Sequence, residues 1–511
     1  MNSVLNEESP AIDIHMYDLR KCFDGLWLEV CVNNLFEAGL TDDKLAMIYE
    51  GNRTNRVAIK TPGGMTDRVT IERIVTQGGV TGPLCCSVQT DDIGKKSLEN
   101  GEHLYLYKGI VGIPTLAMVD DLAKVSECGV NSVKDNAYIN AKIEQDKQSF
   151  NGTKCHQMHV GISSPFCPML RAHVTEMDIV SEEKYVGDVV SNDGKHSKNV
   201  AARRSKGIGM SNEIMTILNS MFLGSHYFTV ALVLRQAMLV SVLLSNSESW
   251  LRLSKEDMKK LESIDLLFLR KLLKTPISTP KPGLYLDSGC VPLHYIIKGK
   301  RIMFLHHILT RDDDALINRV FWAQVHKPAK GEGDWCQVVR EDLNDIGLTE
   351  LSFDCIKEMN KAELKNLVND HISSSAFDEL QSEKVKLSKM TSLTYDKLEI
   401  QPYLTDPTLS TREKLLMFRW RMRMIKVGWN YGKKEKCPLC LQADDTQNHL
   451  LDCKRLKDND MTATNSNENL EQYSQNAHMK QLEKAIRRRE IIAENGKEAT
   501  SPKHSNSEES D

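Results

Sequence analysis

Loose alternation of apolar and polar residues over Ile12-Asp13-Ile14-His15-Met16-Tyr17 predicts a strand that ends at Asp18. Trp27, Leu28, Val30, Cys31, Leu35 and Phe36 then recur at helical spacing up to Gly39, a suitable helix stop. Strands over 56–60 and 67–74 flank a turn at Pro62-Gly63-Gly64. A helix over 84–97 follows the glycine-rich run Gln77-Gly78-Gly79-Val80-Thr81-Gly82-Pro83-Leu84, whose backbone can approach a ligand or another strand closely. Short strands at 104–106 and 110–113 lead into a strand pair around Asp120-Asp121. A helix over 132–143, a strand over 154–160 and another over 184–190, closed by Asn192-Asp193-Gly194, complete the series. Strands and helices mix without a regular βαβ repeat, which predicts an α+β domain ending near residue 195.

Residues 199–309 read as mainly helical, punctuated by Gly207, Gly209 and the Pro276, Pro280, Pro282 and Pro292 group. Within them Leu261, Ile264, Leu267 or Phe268, and Leu272 form an amphipathic stripe, read as core packing. The most apolar stretch, 227–244, is interrupted by Arg235 and Gln236, so a buried helix is expected there rather than a membrane span, which needs about 20 residues. Residues 312–404 are polar and helix-rich with little chemical pattern. A helix over 410–429 carries Leu415, Phe418, Met422, Ile425 and Trp429 on one side and Arg412, Arg419, Arg423 and Lys426 on another. That pattern suits either a nucleic-acid backbone contact or a solvated charged face. The Asn-, Ser-, Glu- and Lys-rich tail is expected to be disordered, with 482–492 either a helix or a basic cluster around Arg487-Arg488-Arg489.

Composition narrows the picture only slightly. In 511 residues, 70 Asp and Glu nearly balance 66 Lys and Arg, so a nucleic-acid surface would have to be local. Thirteen cysteines, an odd number, behind a polar amino terminus suggest a reducing, intracellular setting (cytoplasmic or nuclear) with mostly free thiols and one metal cluster.

Two groups of residues carry candidate chemistry. In Leu116-Ala117-Met118-Val119-Asp120-Asp121, an apolar run that favours burial ends in adjacent carboxylates. Such a pair needs a neutralising cation if buried, although an isolated Asp-Asp is also a common turn. Asp18, at a strand end ahead of a helix, is a second candidate ligand. The other group is Cys437, Cys440, His449 and Cys453, spaced C-x₂-C-x₈-H-x₃-C. Two cysteines on a tight knuckle, with a His and a Cys one helical turn apart, can close a tetrahedron around a structural Zn²⁺. No Walker or dinucleotide-binding spacing is present.

Five segments in order resemble the reverse-transcriptase domain of non-long-terminal-repeat (LINE-like) retrotransposons. They are Asp18 with Phe23-Asp24; Gln77-Gly78 with Pro83-Leu84; Met118-Val119-Asp120-Asp121, with Met where an aromatic is usual; Lys154; and Tyr185-Val186-Gly187. The similarity covers roughly residues 12–310, and the Cys/His motif is a further shared feature. It implies a right-hand polymerase palm (1–195, fingers largely missing) and a helical thumb (196–310). A polar helical linker region (311–409), a basic helix with the CCHC zinc knuckle (410–456) and a charged tail (457–511) would follow.

The resemblance also implies RNA-directed DNA polymerisation on an RNA template from a DNA primer, with deoxynucleoside triphosphates as substrates. Asp18 and Asp120 would hold two Mg²⁺ ions, with Asp121 in a supporting role. Phe23 would act as the sugar gate, Gln77 and Gly78 would shape the nucleotide and template pocket, and Lys154 would assist the leaving group. Only about 17 residues precede Asp18, so an amino-terminally truncated chain of weak or absent activity is expected. The alternative is a catalytically inactive, element-derived nucleic-acid-binding protein.

Overall fold

The computed structural model describes residues 11–491 apart from 21, 54–55, 71–81, 100–103, 107–110, 114, 120, 162–167, 327–333 and 456–481. It is a helix-rich α+β structure. The first strand, β1 (Ile12–Asp18), lies at the centre of a five-stranded sheet. Its partners are β2 (Leu116–Met118), β3 (Asp121–Glu127), β4 (His156–Val160) and β5 (Asp178–Ile179), in the order β5-β4-β1-β3-β2. β1 runs antiparallel to β3 and to β4, and β5 joins β4 in parallel.

The period-2 alternation of β1 separates two faces. Ile12, Ile14 and Met16 pack with Ala123, Met158 and Val160, and with the partly buried Val180, Tyr185 and Val190. Tyr17 and Leu122 face the other way, into a core built with α1 (Leu28–Glu37), α2 (Gly82–Glu99) and α3 (Val130–Gln145). Cys31, Leu35, Ile93, Ile139 and Ile143 fill it. Along the same face the sheet turns polar: Asp13, His15, Lys124, Ser126 and Gln157 are all buried.

Sequence expectations hold for most of these elements, and two change. The strand expected over 184–190 is a hairpin of β6 (Glu182–Tyr185) and β7 (Asp188–Ser191). Val186 and Gly187 turn it with φ of 47° and 86°, the left-handed pair that a two-residue hairpin requires. The apolar run before the acid pair is also less buried than its composition suggests. β2 is the edge strand, and Leu116 and Met118 are 37% and 55% exposed.

Beyond residue 196 the chain is helical. Helices α4 (Ser197–Ser220) and α5 (Lys255–Leu272) cross with 227–244 in a core that includes Val200, Ile214, Phe228, Leu239, Leu243, Ile264 and Phe268. That core continues through Leu284, Leu380, Phe418 and Met422, across the boundaries expected near 310 and 410. The polar region 311–409 is helical as expected, yet it is packed. Phe321, Val339, Leu343, Leu364, Val368 and Ile372 bury against α6 (Leu293–Leu309).

The stretch Gly224–Leu243 is long and apolar enough by composition to cross a membrane. Here it is a 3₁₀ turn, an α-helix over Tyr227–Leu234, a π-helical segment over Arg235–Val240 and a final helical turn. Arg235 is buried and holds Asp265 with two 2.6 Å hydrogen bonds.

Candidate active site and metal knuckle

The β1–β3 ladder places Asp18 directly opposite Asp121. β2 and β3 form a hairpin in which Met118 faces Asp121, and Val119 at its turn has φ 61°. A β-branched residue in the left-handed region is strained, so the surrounding structure must impose the turn. Part of that surround is the disulfide Cys22–Cys86, since Cys86 Sγ lies 3.3 Å from the Val119 carbonyl oxygen. Most thiols were expected to be free, and ten cysteines among the described residues form no disulfide; this pair is the exception. Asp120, Gln77 and Gly78 lie outside the described residues, as does the Phe23 side chain.

Lys154 does reach the site. Its expected place at the start of a strand is a 3₁₀ turn instead, Gly152–Lys154. That turn is fixed because the Asn151 N–H donates to the Asp18 carbonyl at 2.9 Å and the Arg20 N–H to the Ser149 carbonyl at 2.8 Å. Lys154 Nζ then stands 3.7 Å from Asp18 Oδ2, with the lysine 64% exposed and the aspartate 23%. An exposed pair of this kind contributes little to stability. The cation is therefore available to a third group.

Tyr185 lies on the β6–β7 hairpin, within electrostatic reach of Asp121. Burial first, and the charge of Asp121 second, push its phenol up. The hairpin is fastened to the helices behind it. Arg203 donates to the Gly187 carbonyl at 3.2 Å and to Asp188 at 2.6 Å, and Asn246 donates to the Val186 carbonyl at 3.1 Å. His156 meets Glu183 at 2.6 Å.

At the carboxy-terminal end the four expected ligands converge: donor atoms of Cys437, Cys440, His449 and Cys453 lie within 4.8 Å of one another. Cys437 Sγ is 3.9 Å from Cys453 Sγ, and Cys440 Sγ is 3.3 Å from His449 Nε2. A tight turn with Leu441 at φ 58° forms the knuckle. Backbone N–H groups of Ala443 and Gln442 hold the Cys440 thiol down to about 6, which favours the thiolate a metal needs. His449 sits on the short helix Gln447–Asp452, capped by Thr446. Two thiols, a third thiol and an imidazole in this arrangement fit tetrahedral Zn²⁺.

The helix leading to the knuckle, α7 (Thr411–Arg421), stops eight residues short of the expected 429, and Arg423 with φ 50° ends it. Ser410 and Glu413 close its first turn as a reciprocal capping box. Leu415, Phe418, Met422 and Ile425 are buried as expected, whereas Trp429 is 44% exposed. The cationic face is partly used internally. Arg412 pairs with Glu483 at 2.8 Å and Arg419 donates to the Lys274 carbonyl at 3.3 Å, leaving Arg423 and Lys426 on the surface.

Glu483 belongs to a helix over 482–491, within the tail expected to be disordered apart from this segment. Leu482 and Ala485 bury against the knuckle core, and Arg489 holds Asp445 with hydrogen bonds of 2.5 and 2.7 Å. Only the basic run at 487–489 hinted at this docking in the sequence.

No protein-family profile and no curated protein matches the chain. Among solved structures, telomerase from Candida tropicalis in complex with a fragment of telomeric RNA is similar at 12% identity and a TM-score of 0.33, over 72% of this chain and 50% of that one. Telomerase from Candida albicans in a like complex gives 12% identity and a TM-score of 0.27, over 70% and 51%. The chain thus spans about half the length of these telomerase chains, and at such TM-scores fold and function are left to be argued from the residues themselves.

Proposed function

We propose that this chain carries the palm and thumb of an RNA-directed DNA polymerase of retrotransposon type, transferring nucleotides to a primer 3′-hydroxyl. The observation that carries the reading is the cross-strand pairing of Asp18 with Asp121, with Lys154 on Asp18 and Tyr185 beside Asp121. The donor set offered there is oxygen only, which suits Mg²⁺. Two such ions held by Asp18, Asp120 and Asp121 would supply activation of the 3′-hydroxyl and neutralisation of the departing pyrophosphate. Lys154, exposed and 3.7 Å from Asp18, would meet the triphosphate's negative charge. The Tyr185-Val186-Gly187 hairpin, fixed by Arg203 and Asn246, would hold the primer end near the carboxylates.

The deciding experiment is primer extension on an RNA template with Mg²⁺ and deoxynucleoside triphosphates. Extension that Asp18→Asn abolishes supports the proposal, and none at any enzyme concentration overturns it.

A second reading, nucleic-acid binding without catalysis, draws on a different surface. Trp429 and Tyr431 are 44% and 59% exposed beside the knuckle, and Arg423, Lys426, Lys433 and Lys434 are exposed around them. Aromatic planes among cations suit stacking on single-stranded bases. Salt-dependent RNA binding that persists without extension, and is lost on Trp429→Ala with Tyr431→Ala, would favour this reading.

A further inference from the structure

A second set of metal-ligating side chains lies at the end of the sheet away from Asp18. Asp13 and His159 are direct cross-strand partners in the β1–β4 ladder. Cys128 follows β3 immediately, and its N–H donates to the Ala11 carbonyl at 2.8 Å, which brings its side chain to the same edge. One donor atom from each of Asp13, Cys128 and His159 lies within 4.8 Å of the others.

The surroundings make this more than proximity. Asp13 is completely buried, and His159 Nδ1 meets its Oδ1. Asp13 Oδ2 and His159 Nε2 are both buried without a hydrogen-bond partner. A sequestered carboxylate and an orphaned imidazole nitrogen are each costly unless something coordinates them. Carboxylate, thiolate and imidazole together are a borderline donor set that selects Zn²⁺ over Mg²⁺.

We propose that Asp13, Cys128 and His159 form a second Zn²⁺ site, independent of the Cys437 knuckle and of the carboxylates at Asp18. Three protein donors leave the fourth tetrahedral position to water. The ion ties β1, β4 and the end of β3 together, holding the three central strands in register at the end opposite Asp18.

Metal content of the full chain tests this. The chain, stripped by chelator and reloaded with Co²⁺, should show thiolate-to-metal absorption that saturates at about two equivalents, one for each cysteine-bearing site, with oxygen-only sites giving none. Cys437→Ser with Cys440→Ser should leave about one equivalent, and adding Cys128→Ser should remove it. Where the knuckle variant does not fold, alkylation of the wild-type chain read by mass spectrometry takes its place, with Zn²⁺ expected to slow modification of Cys128 at least tenfold. Retention of the second equivalent in Cys128→Ser overturns the proposal. Equal alkylation of Cys128 with and without Zn²⁺ overturns it as well.

Discussion

Asp18 and Asp121 sit opposite one another because the β1–β3 ladder is in register over seven residue pairs, so replacing either carboxylate leaves the backbone untouched. Asp121→Asn should therefore reduce extension without unfolding the chain. If the carboxylate supports the metal pair, the loss is several kcal/mol in the barrier, or about 10³-fold in rate, with primer–template binding nearly unchanged. Single-turnover extension beside a binding titration separates the two effects.

A second residue-scale prediction concerns His294, which stands between Glu262 at 2.7 Å and Glu379 at 3.1 Å. Burial pulls the imidazole down, but the two carboxylates outweigh it and leave its pKa raised. The bond from His294, foremost, holds Glu379 down to about 2 against its own burial. A raised histidine contributes stability fully below pH about 6.5 and loses it as pH climbs through the raised value. A depressed glutamate contributes above pH about 4.5 and loses it as pH falls toward 2. Urea denaturation should thus find the cluster most stabilising between pH about 4.5 and 6.5, and His294→Gln should flatten both flanks. The sequence hid this cluster, since its members are up to 117 positions apart and each looks like an ordinary surface charge.

At the scale of elements, the apolar stretch 227–244 shows how a polar interruption can be structural. Arg235 opens the π-helical segment, and its guanidinium meets Asp265 on α5, which also accepts from the Tyr285 hydroxyl at 2.9 Å. Removing one partner strands a buried charge, so Asp265→Ala should cost about 3–5 kcal/mol in urea unfolding. Arg235→Met with Asp265→Leu should recover much of it. Gly289 is a sharper constraint. It ends the helix Lys281–Ser288 at φ 66°, and a Cβ there would fall 2.2 Å from the Ile400 backbone nitrogen. Gly289→Ala should destabilise by roughly 3 kcal/mol or more, because backbone rather than a movable side chain blocks it.

Hydrophobic periodicity made β1, α1, α2, α3 and the stripe of α5 legible, since each buries a regular face. It overran α7, where Met422 and Ile425 stay buried after the helix has ended at Arg421, so burial alone did not mark the stop.

For the whole molecule, the Cys/His knuckle is joined to more than its four candidate ligands. Asp445 accepts from the Gly428 N–H at 2.6 Å and from Arg489, so loop, knuckle and tail helix share one carboxylate. Chelation should therefore release 436–453 and 482–491 together while the sheet and the helices of residues 197–385 persist. Limited proteolysis with and without a chelator checks this, and Arg489→Ala should speed metal release several-fold. The metal-ligand spacing was readable in the sequence. The tail docking was not, because it depends on an Arg–Asp pair across 44 positions. The placement of Asp18, Lys154 and Tyr185 around Asp121 likewise came only through an order of motifs, since no local pattern encodes pairing across a hundred residues.

The central position of β1 has a consequence for biosynthesis. The strand leaves the ribosome well before its two neighbours, β3 and β4, which end at Glu127 and Val160. At synthesis rates of about 5–20 residues per second, β1 waits roughly 5–22 s for β3 and roughly 7–28 s for β4. Ile12, Ile14 and Met16 make that waiting edge sticky. Nascent chains arrested near residue 150 should accordingly be captured by hydrophobic-segment chaperones, and chains arrested well beyond Val160 should escape them.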